Sequence, residues 1–408
     1  MPNGTTKTDP AQGGLPLSGL RVLDLSQVMA GPFCAMLLGD MGADVIKVEP
    51  PAGGDQNRRS MGFRTKGTDS PGFLALNRNK RSVALNLKTP AGRDVFLRLA
   101  DTADVLIENN RPGVTARLGI DYGSLAPRNQ RLIYASISGF GQTGPWSRRP
   151  GFDLIAQAMS GIISAMGLPG LPPVKSGISV GDLGAGLFTA YGVLSAVIGR
   201  ERTGRGQHLD ASLFEAALGL SVWEATEYWA TGRSPQPLGT ANRMSAPYQA
   251  VRAADGWLVI GAANQKLWLL LCEVLERPDL SADPRFADNQ ARMQHCAALL
   301  DALEPAFRTR TVDDWVEALL AAGVPAGPIL DYAAALGSEH ARARNMVQEI
   351  EHPVEGRIRT LGFPVKLSGT PQSIRRPPPL LGEHTEEVLR EAGLGDAMPA
   401  LREAGAFS

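Results

Sequence analysis

The chain has few cysteines and no excess of charge of either sign. Three cysteines occur in 408 residues, and they form neither a Cys-x-x-Cys pair nor a cysteine–histidine pair at zinc spacing. No disulfide framework and no metal site are therefore predicted. Forty-one basic residues balance forty-one acidic ones, whereas binding to a nucleic-acid backbone needs a basic excess on one face. These absences predict a protein of the reducing cytoplasm without a metal ion or a nucleic-acid partner.

Long apolar runs are missing as well. No uninterrupted apolar stretch reaches the ~20 residues that a membrane-spanning helix needs, so no membrane partner is expected. Residues 1–16 are polar and rich in glycine, threonine and proline, and they lack the apolar segment of a signal peptide, which predicts a flexible tail. A length of 408 residues exceeds the about 100 to 200 residues of one ordinary domain and indicates two or three domains.

Short apolar runs that alternate with helical stretches are what the sequence does contain. Five such runs predict strands at residues 21–26, 43–49, 81–87, 103–108 and 132–138. Strands that alternate with helices predict an α/β protein with a mostly parallel sheet. The first strand-to-helix turn lacks Gly-x-Gly-x-x-Gly, which argues against a nicotinamide dinucleotide site. Ligands of such sheets bind where the strands end, and the polar, basic and glycine residues at these ends favour an anionic ligand with a flat ring.

One carboxylate stands among three glycines in residues 175–187, where Asp182 lies close to Gly181, Gly184 and Gly186. Glycine has no Cβ, so backbone or ligand can approach this carboxylate closely, and Asp182 is a candidate nucleophile. An aspartate directly before an apolar helix is equally an ordinary N-cap. Both roles are compatible, because the N–H groups of a helix N-terminus would also stabilise an oxyanion formed beside the carboxylate.

Asp153 stands near the start of a second predicted helix, at residues 152–166. Paired carboxylates can share acid and base work, but a plain N-cap is the simpler interpretation of Asp153. Beyond about residue 226, a hairpin at 248–252 and 257–260 is followed by further helices. This change of pattern predicts a second, smaller domain.

The sequence resembles the class III CoA-transferases, a family that also includes the α-methylacyl-CoA racemases. The stretches that carry the resemblance follow the family order along nearly the whole chain: residues 19–26, 30–32, 38–49, 79–82, 85–88, 108–113, 181–182, 203–207 and 379–385. The resemblance implies a large Rossmann-like domain from residues 17–225 and 335–408 and a smaller α+β domain from residues 226–334. It also implies that two subunits interlock as a homodimer.

The resemblance matches Asp182 to the family's nucleophilic aspartate. That residue would form a mixed anhydride with the acyl group and then an aspartyl-CoA thioester, before CoA passes from the acyl-CoA donor to a small carboxylic acid. Coenzyme A, as part of the substrate, is the only cofactor that the resemblance implies. It places CoA contacts on Val28, Ala30, Leu85, Lys88, Asn109, Arg111 and Arg117. It places the substrate pocket at Gln27, Met29, Phe152 and Asp153.

Departures from the family pattern narrow these expectations. Met29 and Pro50 stand where formyl-CoA transferases have glutamine and arginine. Residues 238–242 are too short for the tetraglycine loop of those enzymes. Oxalate and formate are therefore not expected as the substrate pair. A racemase, the nearest alternative, needs a second base opposite Asp182, and its family position holds Phe152, which cannot move a proton. The other alternative is a non-catalytic CoA-binding protein, since fold alone does not fix function.

Overall fold

The computed structural model describes residues 14–59, 65–67 and 69–407. The predicted tail therefore lies outside the described residues up to position 13. The chain divides into two compact units, each described here by itself. The first contains the residues up to Ile163, then Lys175–Thr231 and the residues from Ala343 onward, whereas the second contains Ser164–Val174 and Gly232–Arg342. The domain bounds expected from the sequence stay a prediction. They differ from these units at residues 164–174 and 335–342, which were expected in the large domain, and at residues 226–231, which were expected in the small one.

Strands and helices alternate through the first half of the chain. The strands are β1 (Arg21–Asp24), β2 (Asp44–Glu49), β3 (Lys80–Ala84), β4 (Val105–Glu108), β5 (Ile133–Ser138), β6 (His208–Ser212), β7 (Tyr248–Arg252), β8 (Trp257–Gly261), β9 (Ala326–Pro328), β10 (Val347–His352) and β11 (Gly356–Leu361). The helices are α1 (Ala30–Asp40), α2 (Pro71–Leu76), α3 (Pro90–Ala100), α4 (Val114–Leu118), α5 (Tyr122–Leu125), α6 (Asp153–Met159), α7 (Val180–Thr203), α8 (Leu213–Leu220), α9 (Val222–Thr231), α10 (Gln265–Val274), α11 (Pro278–Ala282), α12 (Asn289–Gln294), α13 (Cys296–Phe307), α14 (Val312–Ala321), α15 (Tyr332–Gly337), α16 (Glu339–Ala343), α17 (Thr385–Glu391) and α18 (Met398–Glu403).

The first unit is built on a parallel sheet with the strand order β3-β2-β1-β4-β5-β6. All five neighbouring pairs are parallel, which is the order of a doubly wound Rossmann-like fold. The predicted α/β fold class with a Rossmann-like parallel sheet is thus confirmed. The direction of winding reverses between β1 and β4, where Leu23 faces Leu106. Such a switch point is where ligands of these sheets bind.

Helices cover both faces of this sheet, so its strands are apolar on both sides. On one face, α1, α7 and α8 pack against Val22, Val105 and Ile133. On the other face, α3 and α17 pack against Leu23 and Leu106. The burial of both faces explains why the strands stood out in the sequence as continuous apolar runs rather than as an alternation.

The second unit contains the antiparallel sheet β7-β8-β9, and the predicted hairpin is present as β7 and β8. Its core includes Trp268, Phe307 and Trp315. The buried Arg292 ties this core together, because its guanidinium donates to the carbonyl oxygens of Ala246 and Phe286, at 2.6 and 3.0 Å.

Residues 213–231 form two helices rather than one, because the chain is interrupted at Ser221 between α8 and α9. Among the described residues, α7 is long and apolar enough to cross a membrane by length and composition alone, a test that core helices also pass. Here α7 buries Ala185, Val193 and Ala196 in the core of the first unit.

Candidate active site

Asp182 lies in the first turn of α7, close to the start of the helix. Ser179, not Asp182, occupies the N-cap position, so the prediction that Asp182 caps the helix is wrong. The side chain is half-buried, and its burial, followed by the negative charge of Asp153, raises its pKa to about 6. A carboxylate that is shielded from water and placed beside a like charge is held in an unfavourable state, which is common at functional sites.

The Asp153 carboxylate supplies the cap that α7 lacks. Its Oδ1 accepts hydrogen bonds from the backbone N–H groups of Gly181, at 2.8 Å, and of Asp182, at 3.3 Å. Asp153 does not cap its own helix, because Phe152 holds the N-cap position of α6, and the plain N-cap interpretation of Asp153 is therefore wrong. The Gln157 side chain donates to Asp153 Oδ2 at 2.6 Å and accepts from Ser176 N–H at 3.0 Å, which ties α6 to the segment leading into α7.

This cap uses backbone N–H donors that were expected from the sequence to stabilise an oxyanion. The N–H groups of Gly181 and Asp182 bind Asp153, and that of Leu183 donates to Ser179. The start of α7 therefore holds the backbone in place and offers none of these three donors to a reacting group.

The glycines around Asp182 serve helix packing rather than ligand access. All three lie within α7 in ordinary helical conformation. A Cβ on Gly186 would stand 2.7 Å from the carbonyl oxygen of Ala30 in α1, and one on Gly184 would stand 3.0 Å from Leu220 in α8. Contacts this close leave no room for a side chain, so these residues let α7 lie directly against its neighbours.

Residues 25–29, here called the switch-point loop, connect β1 to α1 at the reversal of the sheet. Every backbone polar group of its central residues, Ser26, Gln27 and Val28, bonds to a side chain. The Asn109 side chain accepts from Gln27 N–H at 2.8 Å and donates to Gln27 O at 2.7 Å. Val28 N–H donates to Asp55 at 3.0 Å and Val28 O accepts from Asn57 at 3.1 Å. Side chains from the segments that follow β4 and β2 thus define the path of the backbone here.

Val28 has a backbone φ of +69°. A β-branched residue in the left-handed region is an outlier, and such a conformation costs about 1 to 3 kcal/mol. It persists only where the surroundings over-determine the backbone, and such residues cluster at functional sites. The side chain of Val28 is 39% exposed, so the loop holds an apolar group toward solvent.

Four fully buried charged side chains lie beneath the loop and are called the buried network: Asp24, Lys47, Asp55 and Lys80. The Lys80 ammonium donates to Asp24 at 2.8 Å and to Pro32 O, in the first turn of α1, at 2.9 Å. The Lys47 ammonium donates to Ser26 O at 2.8 Å and stands 2.8 Å from Asp55. The network therefore has two positive and two negative charges, and it bonds directly to the loop.

Burial and pairing oppose each other within this network. Burial alone would raise the pKa of Asp24, but Lys80 and Lys47 hold that pKa below its usual range. Burial lowers the pKa of Lys80 to about 8, against the opposing charge of Asp24. These residues were not predicted from the sequence. A signal was present, because a lysine lies inside the apolar strand run of residues 44–49 and an unpaired lysine is almost never fully buried.

The residues predicted to bind CoA differ in what they can offer to a ligand. Lys88, Arg111 and Arg117 are exposed beyond β3 and β4, and in the part of the chain that the structure describes they form no ion pair. Ala30 and Leu85 are only 2% and 1% exposed, so neither presents its side chain to a ligand.

The residues predicted for the substrate pocket fall into two groups. Gln27 and Met29 belong to the switch-point loop, whereas Phe152, 72% exposed, and Asp153 lie beside Asp182. Among the described residues, no cluster of three or more His, Cys, Asp or Glu side chains could hold a metal ion.

A family model described as CoA-transferase family III matches residues 17–385. The chain belongs to this family. An acetyl-CoA:oxalate CoA-transferase of Acetobacter aceti is 42% identical over 394 residues, which cover 96% of this chain and 100% of that protein. A succinyl-CoA:glutarate CoA-transferase of Mus musculus is 38% identical over 376 residues, which cover 92% and 86%. The crystal structure of a CAIB/BAIF family protein from Brucella suis matches with a TM-score of 0.83 and 37% identity, over 93% of this chain and 100% of that chain.

The resemblance found in the sequence is confirmed by these comparisons. Because both relatives are named as CoA-transferases, this member of CoA-transferase family III is a CoA-transferring enzyme. Coenzyme A enters as part of the substrate.

Proposed function

We propose that this protein moves CoA from an acyl-CoA donor to a free carboxylic acid, with Asp182 as the covalent nucleophile. Besides family membership, the observation that carries the proposal is the half-buried carboxylate at the start of α7. With a pKa of about 6, Asp182 is ionised at pH 7 and more basic than an ordinary aspartate. Greater basicity makes a carboxylate a better attacking group, which this reaction needs because carboxylates are weak nucleophiles.

Four displacements complete the proposed reaction. An Asp182 oxygen attacks the thioester carbon of the donor and the C–S bond breaks. CoA leaves as a thiolate, and a mixed anhydride of Asp182 and the donor acyl group remains. The thiolate attacks the Asp182 acyl carbon, which releases the donor acid and leaves an aspartyl-CoA thioester. The acceptor carboxylate attacks this thioester, and CoA leaves again from a second mixed anhydride. Thiolate attack on the acceptor carbon then gives the new acyl-CoA and restores the Asp182 carboxylate, with no net proton change.

Asp153 supports this chemistry in two ways without reacting. Its hydrogen bonds to the N–H groups of Gly181 and Asp182 fix the backbone from which the nucleophile projects. Its negative charge, second to burial, raises the pKa of Asp182. Orientation of a nucleophile is worth up to about 7 to 11 kcal/mol when ideal, so a rigid helix start is a suitable platform.

We further propose that the acceptor is a dicarboxylic acid. Support comes from the two relatives, which are named for oxalate and for glutarate. The sequence departures at Met29 and Pro50 argue against the pairing of oxalate with formate. The oxalate relative is named for acetyl-CoA, so oxalate with another donor belongs among the acids to test.

CoA itself is proposed to bind at the carboxyl ends of the strands, on the residues that the family resemblance indicates. Exposed cations suit the CoA phosphates when they pair with no acidic side chain of the described residues, as is the case for Lys88, Arg111 and Arg117. Asn109 and Val28 would contribute through the switch-point loop. Ala30 and Leu85 are buried and would shape the site from beneath.

The interlocked homodimer is also a proposal, and its support lies in α7. One stripe of this helix is buried against the sheet, while Leu187, Tyr191, Leu194 and Ile198 form an exposed apolar stripe at the spacing of one helix face. A helix that is apolar all round is normally covered on all sides, and large exposed apolar patches mark protein interfaces. A second copy of the chain is the proposed cover.

Trapping of the covalent intermediate tests the proposed mechanism. Wild-type protein mixed with radiolabelled acyl-CoA and no acceptor should acquire label on the peptide that contains Asp182, whereas Asp182→Ala should acquire none. The variant should lose CoA transfer and keep its affinity for CoA, because the affinity would be spread over several other groups. Near-wild-type turnover by Asp182→Ala would end the mechanism.

A panel of acceptors tests the proposed substrate class. Turnover with acetyl-CoA or succinyl-CoA should be faster with oxalate, succinate and glutarate than with acetate and butyrate, which have one carboxylate each. Equal rates with both groups of acids would remove the dicarboxylate proposal and leave the CoA-transfer proposal intact.

A further inference from the structure

The switch-point loop has a property that its sequence does not reveal: the backbone groups of Ser26, Gln27 and Val28 are closed to ligands. The N–H groups of Ser26, Gln27 and Val28 donate to Asp24, Asn109 and Asp55, respectively. A loop that binds phosphate needs free N–H groups that point at the anion. At these three residues, what the loop offers to a ligand is therefore its shape and the exposed Val28.

That shape depends on charges that never reach solvent. Asp24 holds Ser26 through its N–H, at 3.0 Å, and through its hydroxyl, and Lys47 holds the Ser26 carbonyl. Asp55 holds Val28, while Lys80 joins Asp24 to the first turn of α1. Ser26, the strained Val28 and the first turn of α1 are thus bonded to one buried network.

Stability alone is a weak explanation for such a network. Four charges at 0% exposure each lose their hydration, and apolar side chains of similar volume often give equal or greater stability than a buried ion pair. A buried charge cluster that bonds to a strained loop is better explained by the geometry it imposes.

We propose that the buried network positions the switch-point loop so that Val28 forms a fixed apolar platform for CoA, while the exposed cations bind its phosphates. The network residues touch no substrate and act through the loop, so they are positioning residues. This inference rests on the proposed CoA site. It adds a division of labour within that site, in which the loop supplies shape and Lys88, Arg111 and Arg117 supply charge.

A charge-neutral double variant tests the positioning role. Asp24→Leu with Lys80→Met removes one charge of each sign, so no unpaired charge is left behind. The matched control is Asp40→Leu with Arg78→Met, which removes another buried ion pair of the first unit, 2.7 Å apart with both side chains 4% exposed. Asp40 lies at the far end of α1 and bonds to no part of the loop.

The first readout is hydrogen exchange of the peptide that covers residues 25–30, which needs no CoA. Exchange at this peptide should be at least about tenfold faster in the network variant and unchanged in the control variant. If the network variant does not fold, the milder pair Asp24→Asn with Lys80→Gln keeps polar atoms at both positions and should show the same direction of change. Unchanged exchange in a folded network variant would overturn the positioning role.

The second readout is the dissociation constant for CoA at several salt concentrations. The network variant should bind about tenfold more weakly with an unchanged salt dependence, whereas Arg111→Ala should bind more weakly with a shallower salt dependence. Val28→Gly should keep the exchange protection, since glycine adopts a positive φ freely, and should still lose affinity for CoA.

The outcomes separate the inference from the function on which it rests. Faster exchange in the network variant with unaltered CoA affinity, while Arg111→Ala weakens binding, would overturn the platform and keep the CoA site. Full affinity in Val28→Gly would do the same. Failure of the wild-type protein to bind CoA would remove the proposed site, and the exchange result would then decide the positioning role by itself.

Discussion

Replacing the proposed nucleophile by its neutral isostere should make the protein more stable. In the folded chain the Asp182 carboxylate is half-buried beside Asp153, and these two causes raise its pKa from 3.8 to about 6. In the unfolded chain the same group is exposed and titrates normally. Because the folded-state pKa is the higher one, the folded protein binds the proton more tightly, and the ionised carboxylate opposes folding.

The size and the pH range of this effect follow from the two pKa values. The difference between 3.8 and about 6 corresponds to about 3 kcal/mol at neutral pH. Solvent reaches part of the side chain and screens it, which lowers the expected value to about 1 to 2 kcal/mol. Below about pH 4 the Asp182 carboxyl is protonated in both states and does not reduce the free energy of unfolding. As the pH rises through about 6 the group ionises in the folded protein, and this stability is lost.

Denaturant unfolding of Asp182→Asn and of wild type provides the assay. At pH 8 the variant should unfold at higher denaturant concentration with the same m-value. At pH 4 the two curves should nearly coincide, which serves as the internal control. A variant that is less stable at pH 8, or one whose advantage is the same at both pH values, would refute the reasoning that burial and repulsion strain this carboxylate.

The other predictions concern ligand affinity, reaction class and assembly. Arg111→Ala and Arg117→Ala should each weaken CoA binding by about tenfold through loss of a charge-assisted contact. Unchanged affinity of both variants in calorimetry would contradict the proposed position of the CoA phosphates. NMR in D₂O should show no deuterium at the α-carbon of a 2-methylacyl-CoA with wild-type protein and at most slight exchange with Phe152→His, since an imidazole also needs orientation and a suitable pKa. Rapid deuterium incorporation by the wild-type protein would instead indicate that Asp182 acts as a base. Sedimentation should show a dimer that persists on dilution, whereas a well-folded monomer would contradict the interlocked architecture.

Features that depend on neighbouring residues were predictable from the sequence. The helix α3 spans Pro90–Ala100 and begins directly after Thr89, whose hydroxyl accepts from Gly92 N–H at 3.1 Å. A cap of this kind is written in adjacent residues. The strands of the parallel sheet were visible for a similar reason, because burial on both faces leaves continuous apolar runs.

Features that depend on distant residues were not predictable in this way. The cap of α7 comes from Asp153 in another helix, so the local pattern around Asp182 pointed to the wrong capping residue. The hairpin of β10 and β11 was missed because only four of its twelve strand residues are apolar, Val347, Ile350, Ile358 and Leu361, which is too few for the apolar alternation that marks a strand. The buried network joins four charges from separate strands and loops, and its members meet only when the sheet has formed.

The strand β3 is covered by residues that are translated long after it. Ser82 N–H donates to the ring nitrogen of His384, and Ala84 N–H donates to the hydroxyl of Thr385, across 302 and 301 positions of the chain. Val388, Leu389 and Phe407 then fill the core beside it. During synthesis on the ribosome, this side of the sheet stays open while some 300 further residues emerge, and the nascent chain must avoid aggregation for that whole interval.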